Sequence, residues 1–101
     1  MPYTGGHLAD LGAEVIKIEP VEGEPWRLHN EFMHKESRDF MRLNRGKMSL
    51  PVNLKTPEGI GIIHTLIKDT DVVIINARPD VPTELQIDYC TLSKLNPQLI
   101  Y

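Results

Sequence analysis

The sequence has one cysteine, no long apolar run and no excess of positive charge. Cys90 alone excludes an intramolecular disulfide and a multi-cysteine zinc site. No apolar run approaches the roughly 20 residues that a membrane helix needs. Eleven basic residues against fourteen acidic ones, a formal net charge of −3, argue against non-specific nucleic-acid binding. Residues 1–6 lack the features of a secretory signal. Together these absences lead us to expect a soluble, intracellular domain that binds neither membrane nor nucleic acid.

Familiar catalytic and ligand motifs are missing too. There is no Gly-x-Ser-x-Gly elbow, no phosphate loop ending in Gly-Lys-Ser/Thr and no His-Glu-x-x-His. Cys90 has no basic neighbour in sequence, so we expect it to pack rather than to react. We expect no metal site, because the histidines never fall at the spacing of a ligand pair, and we place them at the surface or the core edge. These are His7, His29, His34 and His64.

The periodicity of the 101 residues predicts alternating strands and helices. The clearest helix begins after Thr56, a good N-cap, with Pro57 at its first position and an apolar stripe that includes Ile63 and Ile67. In chain order we expect a helix ending at residues 8–11 with Gly12 as its left-handed cap, a strand at 13–19, a weak helix at 36–43 and a strand at 48–54. A helix at 57–67 and a strand at 71–76 follow. We expect a further short helix around Tyr89, Leu92 and Leu95 that ends at residues 96–97, and then a strand begun at 99–101.

Residues 71–76 are apolar on both faces, which predicts a strand covered by helices on two sides. With 48–54 and the helix between them they form a strand–helix–strand unit, which is right-handed in parallel sheets. The predicted fold is therefore α/β, part of a Rossmann-like parallel sheet with flanking helices. A helix with no strand before it and a strand only begun at 99–101 lead us to expect a sheet that is incomplete at both ends.

Three polar spots could carry function. The long polar segment 20–47 is expected to be functional or covered by another part of the protein, and it ends in Asn-Arg-Gly-Lys at 44–47. Residues 76–79 (Asn-Ala-Arg-Pro) follow the strand that we expect to be most buried, and ligands of parallel sheets bind beyond such strand ends. Lys55 precedes a helix N-terminus, a combination that suits phosphate. The alternative is that Lys55 and Arg78 are ordinary solvated charges.

Several ordered motifs together resemble the class III CoA-transferase family, which includes formyl-CoA and carnitine CoA-transferases and α-methylacyl-CoA racemase. The resemblance begins with Leu-Ala-Asp-Leu-Gly-Ala-Glu-Val-Ile-Lys-Ile-Glu-Pro and runs through nearly the whole chain. The matching stretches are 8–20, 23–27, 44–47, 54–59, 71–73, 76–79, 88–89 and 95–101.

The resemblance implies a Rossmann-like CoA-binding domain, a smaller second domain and a homodimer of interlocked chains. In such transferases an aspartate attacks an acyl-CoA thioester, and acyl-aspartyl anhydride and aspartyl-CoA intermediates follow. The family's nucleophile lies downstream of the motif at 76–79, so we expect it beyond Tyr101 and assign no catalytic residue here, neither Asp71 nor Asp88. The substrates are an acyl-CoA and a carboxylic acid acceptor, with no covalently bound cofactor. We expect a cytoplasmic location, or a mitochondrial or peroxisomal one in a eukaryote.

By motif position, the resemblance assigns CoA binding to two segments. The first borders the nucleotide, with its lysine facing the phosphates, and the second lines the crevice at the strand end. These residues are Val52, Asn53, Leu54 and Lys55, and Asn76, Ala77 and Arg78. The family's usual residues are replaced by Met48 (basic in the family), Ala77 (Phe), Asp80 (Gly) and Glu84 (an Arg that meets a phosphate). Each departure predicts weaker or altered CoA binding.

Four functions therefore stay open. The first is that residues 1–101 are the N-terminal CoA-binding part of an acyl-CoA:carboxylate CoA-transferase, and we expect this fragment alone to be inactive. The alternatives are a racemase-type member, a degenerate homologue that binds CoA poorly and catalyses nothing, and a stand-alone α/β interaction domain. A begun strand at 99–101 argues against the last. We also expect exposed apolar surface on this fragment, and hence self-association.

Overall fold

The computed structural model describes residues 2–34 and 36–101. These residues form two compact units, the first ending at Val52 and the second beginning at Asn53. The first unit contains α1 (Pro2–Asp10), β1 (Ile16–Glu19), a 3₁₀ turn (Pro25–Arg27), β2 (Glu31–Met33), β3 (Glu36–Ser37), α2 (Arg38–Asn44) and β4 (Met48–Pro51). The second unit contains α3 (Pro57–Ile67), α4 (Asp80–Glu84) and α5 (Tyr89–Leu95).

The end of α1 confirms the predicted glycine cap. Gly12 has a φ of +96°, a left-handed conformation that side-chain-bearing residues rarely adopt. Its N–H donates to the Ala9 carbonyl at 3.0 Å, and the N–H of Ala13 donates to the Leu8 carbonyl at 3.0 Å. These two bonds satisfy carbonyl groups that a helix end otherwise leaves without partners.

Parallel strands β1 and β4 form the sheet of the first unit, with Ile16 opposite Met48 and Glu19 opposite Pro51. Both strands were expected, although the predicted ranges 13–19 and 48–54 are longer than the observed ones. Beyond Pro51 the pairing ends with one bond, from the Val52 N–H to the Glu19 carbonyl at 2.9 Å. The polar segment 20–47 holds the antiparallel pair β2–β3 and the helix α2, close to the weak helix expected at 36–43.

The second unit is built on α3 and α5. The predicted N-cap of α3 is confirmed, because the Thr56 side chain accepts a hydrogen bond from the Gly59 N–H. Asp88 caps α5 in the same way. A small apolar core forms from Ile63, Ile67, Leu92 and Leu99, all of them buried. The fold class is therefore α/β, with parallel strand pairing and flanking helices, as predicted.

The prediction of a doubly covered strand at 71–76 is wrong for this structure. Only Val72 pairs, through one parallel bridge to Ile100, because the two backbones run side by side for too short a distance to form a ladder. Val72 is 41% and Ile74 38% exposed. The predicted strand–helix–strand unit thus connects strands of two different pairs, β1–β4 and the Val72–Ile100 bridge.

Helix α4 was not predicted, because its five residues are too few to show a 3.6-residue apolar period. No helix in the described ranges 2–34 and 36–101 is long and apolar enough to cross a membrane.

Candidate functional site

The turn before α3 presents Lys55 at the positive end of that helix. Asn53 stabilises this turn through two hydrogen bonds. Its side-chain oxygen accepts from the Lys55 N–H at 3.0 Å, and its backbone carbonyl accepts from the Thr56 hydroxyl at 3.0 Å. The Lys55 side chain is exposed. An exposed ammonium beside a helix N-terminus favours an anionic ligand, because the helix dipole and the cation act in the same direction.

Gly59 explains how this turn stays closed against α3. A Cβ at this position would lie 2.0 Å from the Asn53 carbonyl oxygen and 2.8 Å from its carbon, distances that no side chain can tolerate. The Gly59 N–H donates to the Thr56 hydroxyl at 3.2 Å. The close approach of the two backbones therefore needs glycine, and it determines where Lys55 is held.

The second predicted segment, Asn76, Ala77 and Arg78, is exposed and precedes α4. The Arg78 side chain, 80% exposed, is engaged by Asp80 through two hydrogen bonds, from Nε to Oδ1 at 3.2 Å and from Nη2 to Oδ2 at 2.5 Å. These bonds are the main cause that lowers the pKa of the Asp80 carboxyl below its ordinary value. Arg78 is thus a cation already paired with a carboxylate.

The structure places the predicted CoA-binding residues in different surroundings. Val52 ends the first unit and is 5% exposed, whereas the other six belong to the second unit. Leu54 is half-buried, and the remaining five are exposed. Among the described residues, no hydrogen bond or ion pair joins 53–55 to 76–78.

The departures from the family pattern lie at the surface. Ala77 and Met48 are exposed, and Met48 begins β4 opposite Ile16. Asp80 and Glu84 begin and end α4 and are both exposed. The short helix after Arg78 therefore adds two carboxylates where a phosphate ligand would favour cations.

A buried ion-pair network in the first unit was not foreseen from the sequence. Glu19, only 3% exposed, accepts two hydrogen bonds from Arg27, at 2.9 and 2.7 Å, and one each from the Ser49 hydroxyl and the Glu24 N–H. These bonds, above all those from Arg27, outweigh burial and lower the pKa of Glu19 from 4.5 to about 2. Arg27 also donates to Glu36 at 3.0 Å.

The Arg27 guanidinium stacks 3.8 Å from the centre of the Phe40 ring, in the geometry of a cation–π contact. The surrounding cleft encloses about 100 Å³ and is lined by Lys17, Arg27, Glu36, Phe40, Asn44, Lys47, Met48 and Ser49. No buried side-chain polar atom of the described residues lacks a hydrogen-bond partner. We therefore interpret the network as structural, because the polar groups that line the cleft are bound by other side chains of the first unit.

The two basic side chains of the motif at 44–47 are likewise bound by other groups of the first unit. The Lys47 ammonium donates to the carbonyls of Pro2 and Leu43, at 2.7 and 2.9 Å, and to the Asn44 side chain at 3.0 Å. Burial is the main cause that lowers the pKa of Lys47. Arg45 forms an ion pair with Asp10. Both cations thus tie α1 to the end of α2, and neither points to a ligand.

Two single-residue expectations have different outcomes. Cys90 is exposed, so the expectation that it packs is wrong: α5 buries Leu92 instead. His64 lies at the core edge as expected, where its Nε2 is 2.9 Å from the Gln86 carbonyl oxygen. Within the part of the chain that the structure describes, no three His, Cys, Asp or Glu side chains are grouped as metal ligands.

The structure thus defines an α/β protein with a parallel strand pair, flanking helices and an exposed lysine, Lys55, just before a helix N-terminus. The sequence matches the model of CoA-transferase family III over residues 1–101, and the chain belongs to that family. It is similar to succinate–glutarate CoA-transferase of Agrobacterium fabrum (38% identical, 99% of this chain, 27% of that protein) and to acetyl-CoA:oxalate CoA-transferase of Acetobacter aceti (39%, 99% and 26%).

Solved structures give the same result for the fold. A CAIB/BAIF family protein from Brucella suis superposes with a TM-score of 0.90 at 37% identity, over 99% of this chain and 28% of that one. A hypothetical protein from Mycobacterium tuberculosis also gives a TM-score of 0.90 at 37% identity, over 99% and 27%. The chain thus spans about a quarter of the length of the relatives that it matches.

Proposed function

We propose that residues 1–101 are the N-terminal CoA-binding part of an acyl-CoA:carboxylate CoA-transferase. The observation that carries the proposal is the position of Lys55, held beside the N-terminus of α3 by the turn that Asn53 closes. CoA is a polyanion, and a helix N-terminus with an adjacent ammonium is a favourable place for one of its phosphates. Membership of a family whose matched relatives are named CoA-transferases supports the same function.

In this proposal the seven residues of the predicted site bind and orient CoA. Lys55 and Arg78 offer positive charge to the phosphates, and the amides of Asn53 and Asn76 offer hydrogen bonds. The nucleophilic aspartate that forms the aspartyl-CoA intermediate lies outside these residues. The acyl group and the carboxylate acceptor are bound by other parts of the protein, which works as a homodimer in the cytoplasm or, in a eukaryote, in a mitochondrion or peroxisome.

Isothermal titration of the chain with coenzyme A tests the binding. We expect Lys55→Gln to weaken CoA binding about tenfold, the order of magnitude for one charge-assisted contact. Lys68→Gln is the matched control. Lys68 is an exposed lysine just after α3, and this substitution removes the same charge as Lys55→Gln. Equal losses in both variants would show a general effect of charge and contradict a site at Lys55.

Activity provides a second test of the same proposal. Because the nucleophile lies elsewhere, the 101-residue chain mixed with succinyl-CoA and glutarate should exchange no CoA above the rate without protein, measured by chromatography of the thioesters. Measurable exchange would contradict the proposed place of the aspartate. The racemase alternative is less favoured, since the relatives reported above are named transferases.

A degenerate, non-catalytic homologue is the second candidate. The pairing of Arg78 with Asp80 and the exposed Glu84 favour it, because both carboxylates oppose a phosphate ligand. Under this candidate, titration shows no CoA binding by the wild-type chain or by any single-residue variant of α4.

A further inference from the structure

The pair formed by Arg78 and Asp80 is local and geometrically defined. Pro79 stands between the two residues, with φ of −57° and ψ of −29°, and the Val81 N–H donates to the Arg78 carbonyl at 3.1 Å. This tight turn leads into α4 and sets the Asp80 carboxylate beside the guanidinium. Because proline restricts φ, the arrangement needs little help from the rest of the fold.

Both oxygens of Asp80 face one edge of the guanidinium, the edge formed by Nε and Nη2. An arginine binds a phosphate through two parallel N–H groups, so this edge is one that a phosphate would use. A phosphate must therefore either displace the carboxylate or approach a guanidinium whose charge is already balanced. Both routes lower the affinity of Arg78 for an anion.

We propose that Asp80 is an affinity-determining residue that competes with the phosphates of CoA for Arg78. The inference rests on the proposed function, because it assumes that CoA lies against residues 76–78. Asp80 does not touch the reacting atoms and acts through Arg78, so it is a positioning residue rather than a catalytic one.

The competitor is present throughout the neutral pH range. The hydrogen bonds from Arg78, followed by backbone N–H groups at the start of α4, lower the pKa of the Asp80 carboxyl below 3.8. Both partners are largely exposed, so solvent screens the pair. Its removal should therefore strengthen CoA binding about two- to fivefold, the factor to which an exposed ion pair of this kind corresponds.

The experiment is a double-mutant cycle measured by isothermal titration with coenzyme A, at low and at high salt. The variants are Asp80→Asn, Arg78→Gln and the combination of the two, and Asn keeps the shape of the exposed side chain. Asp69→Asn is the matched control, since it removes the same charge from another exposed position in the second unit. Circular dichroism verifies that each variant retains the helix content of the wild type.

The expected result is that Asp80→Asn alone binds CoA about two- to fivefold more tightly, that the gain disappears in the Arg78→Gln background, and that it shrinks at high salt. If the wild type binds CoA and Asp80→Asn binds it equally, or no more tightly than Asp69→Asn, the inference is overturned and the proposed function stands. If no variant binds CoA, both are overturned. Binding by Asp80→Asn but not by the wild type supports both.

Discussion

Arg27 donates two hydrogen bonds to Glu19, from Nε to Oε2 at 2.9 Å and from Nη2 to Oε1 at 2.7 Å. The two residues are eight positions apart, on either side of the turn that contains Gly23. Because Glu19 is buried at the end of β1, this pair determines how the polar segment after β1 folds back onto the strand. The pair therefore connects the sheet of the first unit to its loop.

Replacement of Arg27 should destabilise the first unit strongly. Arg27→Gln leaves the buried Glu19 carboxylate without its main partner, and breaking a buried ion pair on one side costs about 3–5 kcal/mol. Arg27→Lys keeps the charge but not the two-point geometry, so it should cost less. Urea denaturation measures both, with Arg42→Gln, an exposed arginine of α2, as the control. A loss as small for Arg27→Gln as for Arg42→Gln would show that the pair adds no stability.

The stability of the protein should fall in acid because of Glu19. Its pKa is about 2 in the folded protein and 4.5 without the fold, so the folded state favours the charged form. The contribution is complete above pH 4.5 and is lost as the pH falls from 4.5 towards 2, by up to about 3 kcal/mol.

Denaturation at pH 7 and at pH 3 measures this effect. In Glu19→Gln the difference between the two pH values should shrink by the Glu19 contribution, whereas Glu14→Gln, which changes an exposed carboxylate before β1, should behave like the wild type. An unchanged difference in Glu19→Gln would contradict the assignment.

The two glycines of α3 should respond oppositely to alanine. Gly59→Ala places a Cβ against the Asn53 backbone and should cost several kcal/mol or displace the turn, with loss of CoA binding if Lys55 moves. Gly61→Ala meets open space and should stabilise the helix by about 0.5–1 kcal/mol. Thermal denaturation compares the pair, and a similar effect of both substitutions would disprove the close approach at Gly59.

The chain should self-associate through apolar side chains of the second unit. Val72, Ile74, Ile100 and Tyr101 are all exposed, and exposed apolar surface of this kind favours association. Light scattering at rising concentration should show oligomers, and Ile74→Thr should reduce them. Leu11→Thr in the first unit is the control, because Leu11 is also exposed but stands outside this group. A monomer at every concentration would contradict the prediction.

Local signals predicted both boundaries of α3 and the end of α1. Thr56 and Pro57 mark the start of α3, Gly12 follows α1, and the range 57–67 agrees with the structure. These features depend on backbone geometry and on side chains three or four positions apart, so the sequence shows them directly. The family motifs are ordered along the chain in the same way, which is why family membership could be predicted.

The strand that was predicted at 71–76 shows what such local patterns cannot predict. The apolar residues of this segment predicted a strand buried on both faces, yet only Val72 pairs, and two of the four apolar side chains, those of Val72 and Ile74, are exposed. Apolar composition expresses a preference for burial, but burial itself needs a neighbouring strand and a covering layer. Composition therefore favoured a strand here but could not show whether a neighbouring strand would pair with it or which elements would cover it.

Sequence patterns were enough to predict the α/β class, the caps at Gly12 and Thr56, and the motifs that place the chain in CoA-transferase family III. Which of the charged side chains are available to a ligand depends on contacts that form in the folded protein. Lys47 is bound by three oxygen atoms and Arg27 by two carboxylates, whereas Lys55 is exposed at a helix N-terminus. These cations look alike in the sequence, because a charge is a property of one residue, whereas its pairing depends on contacts that the fold creates.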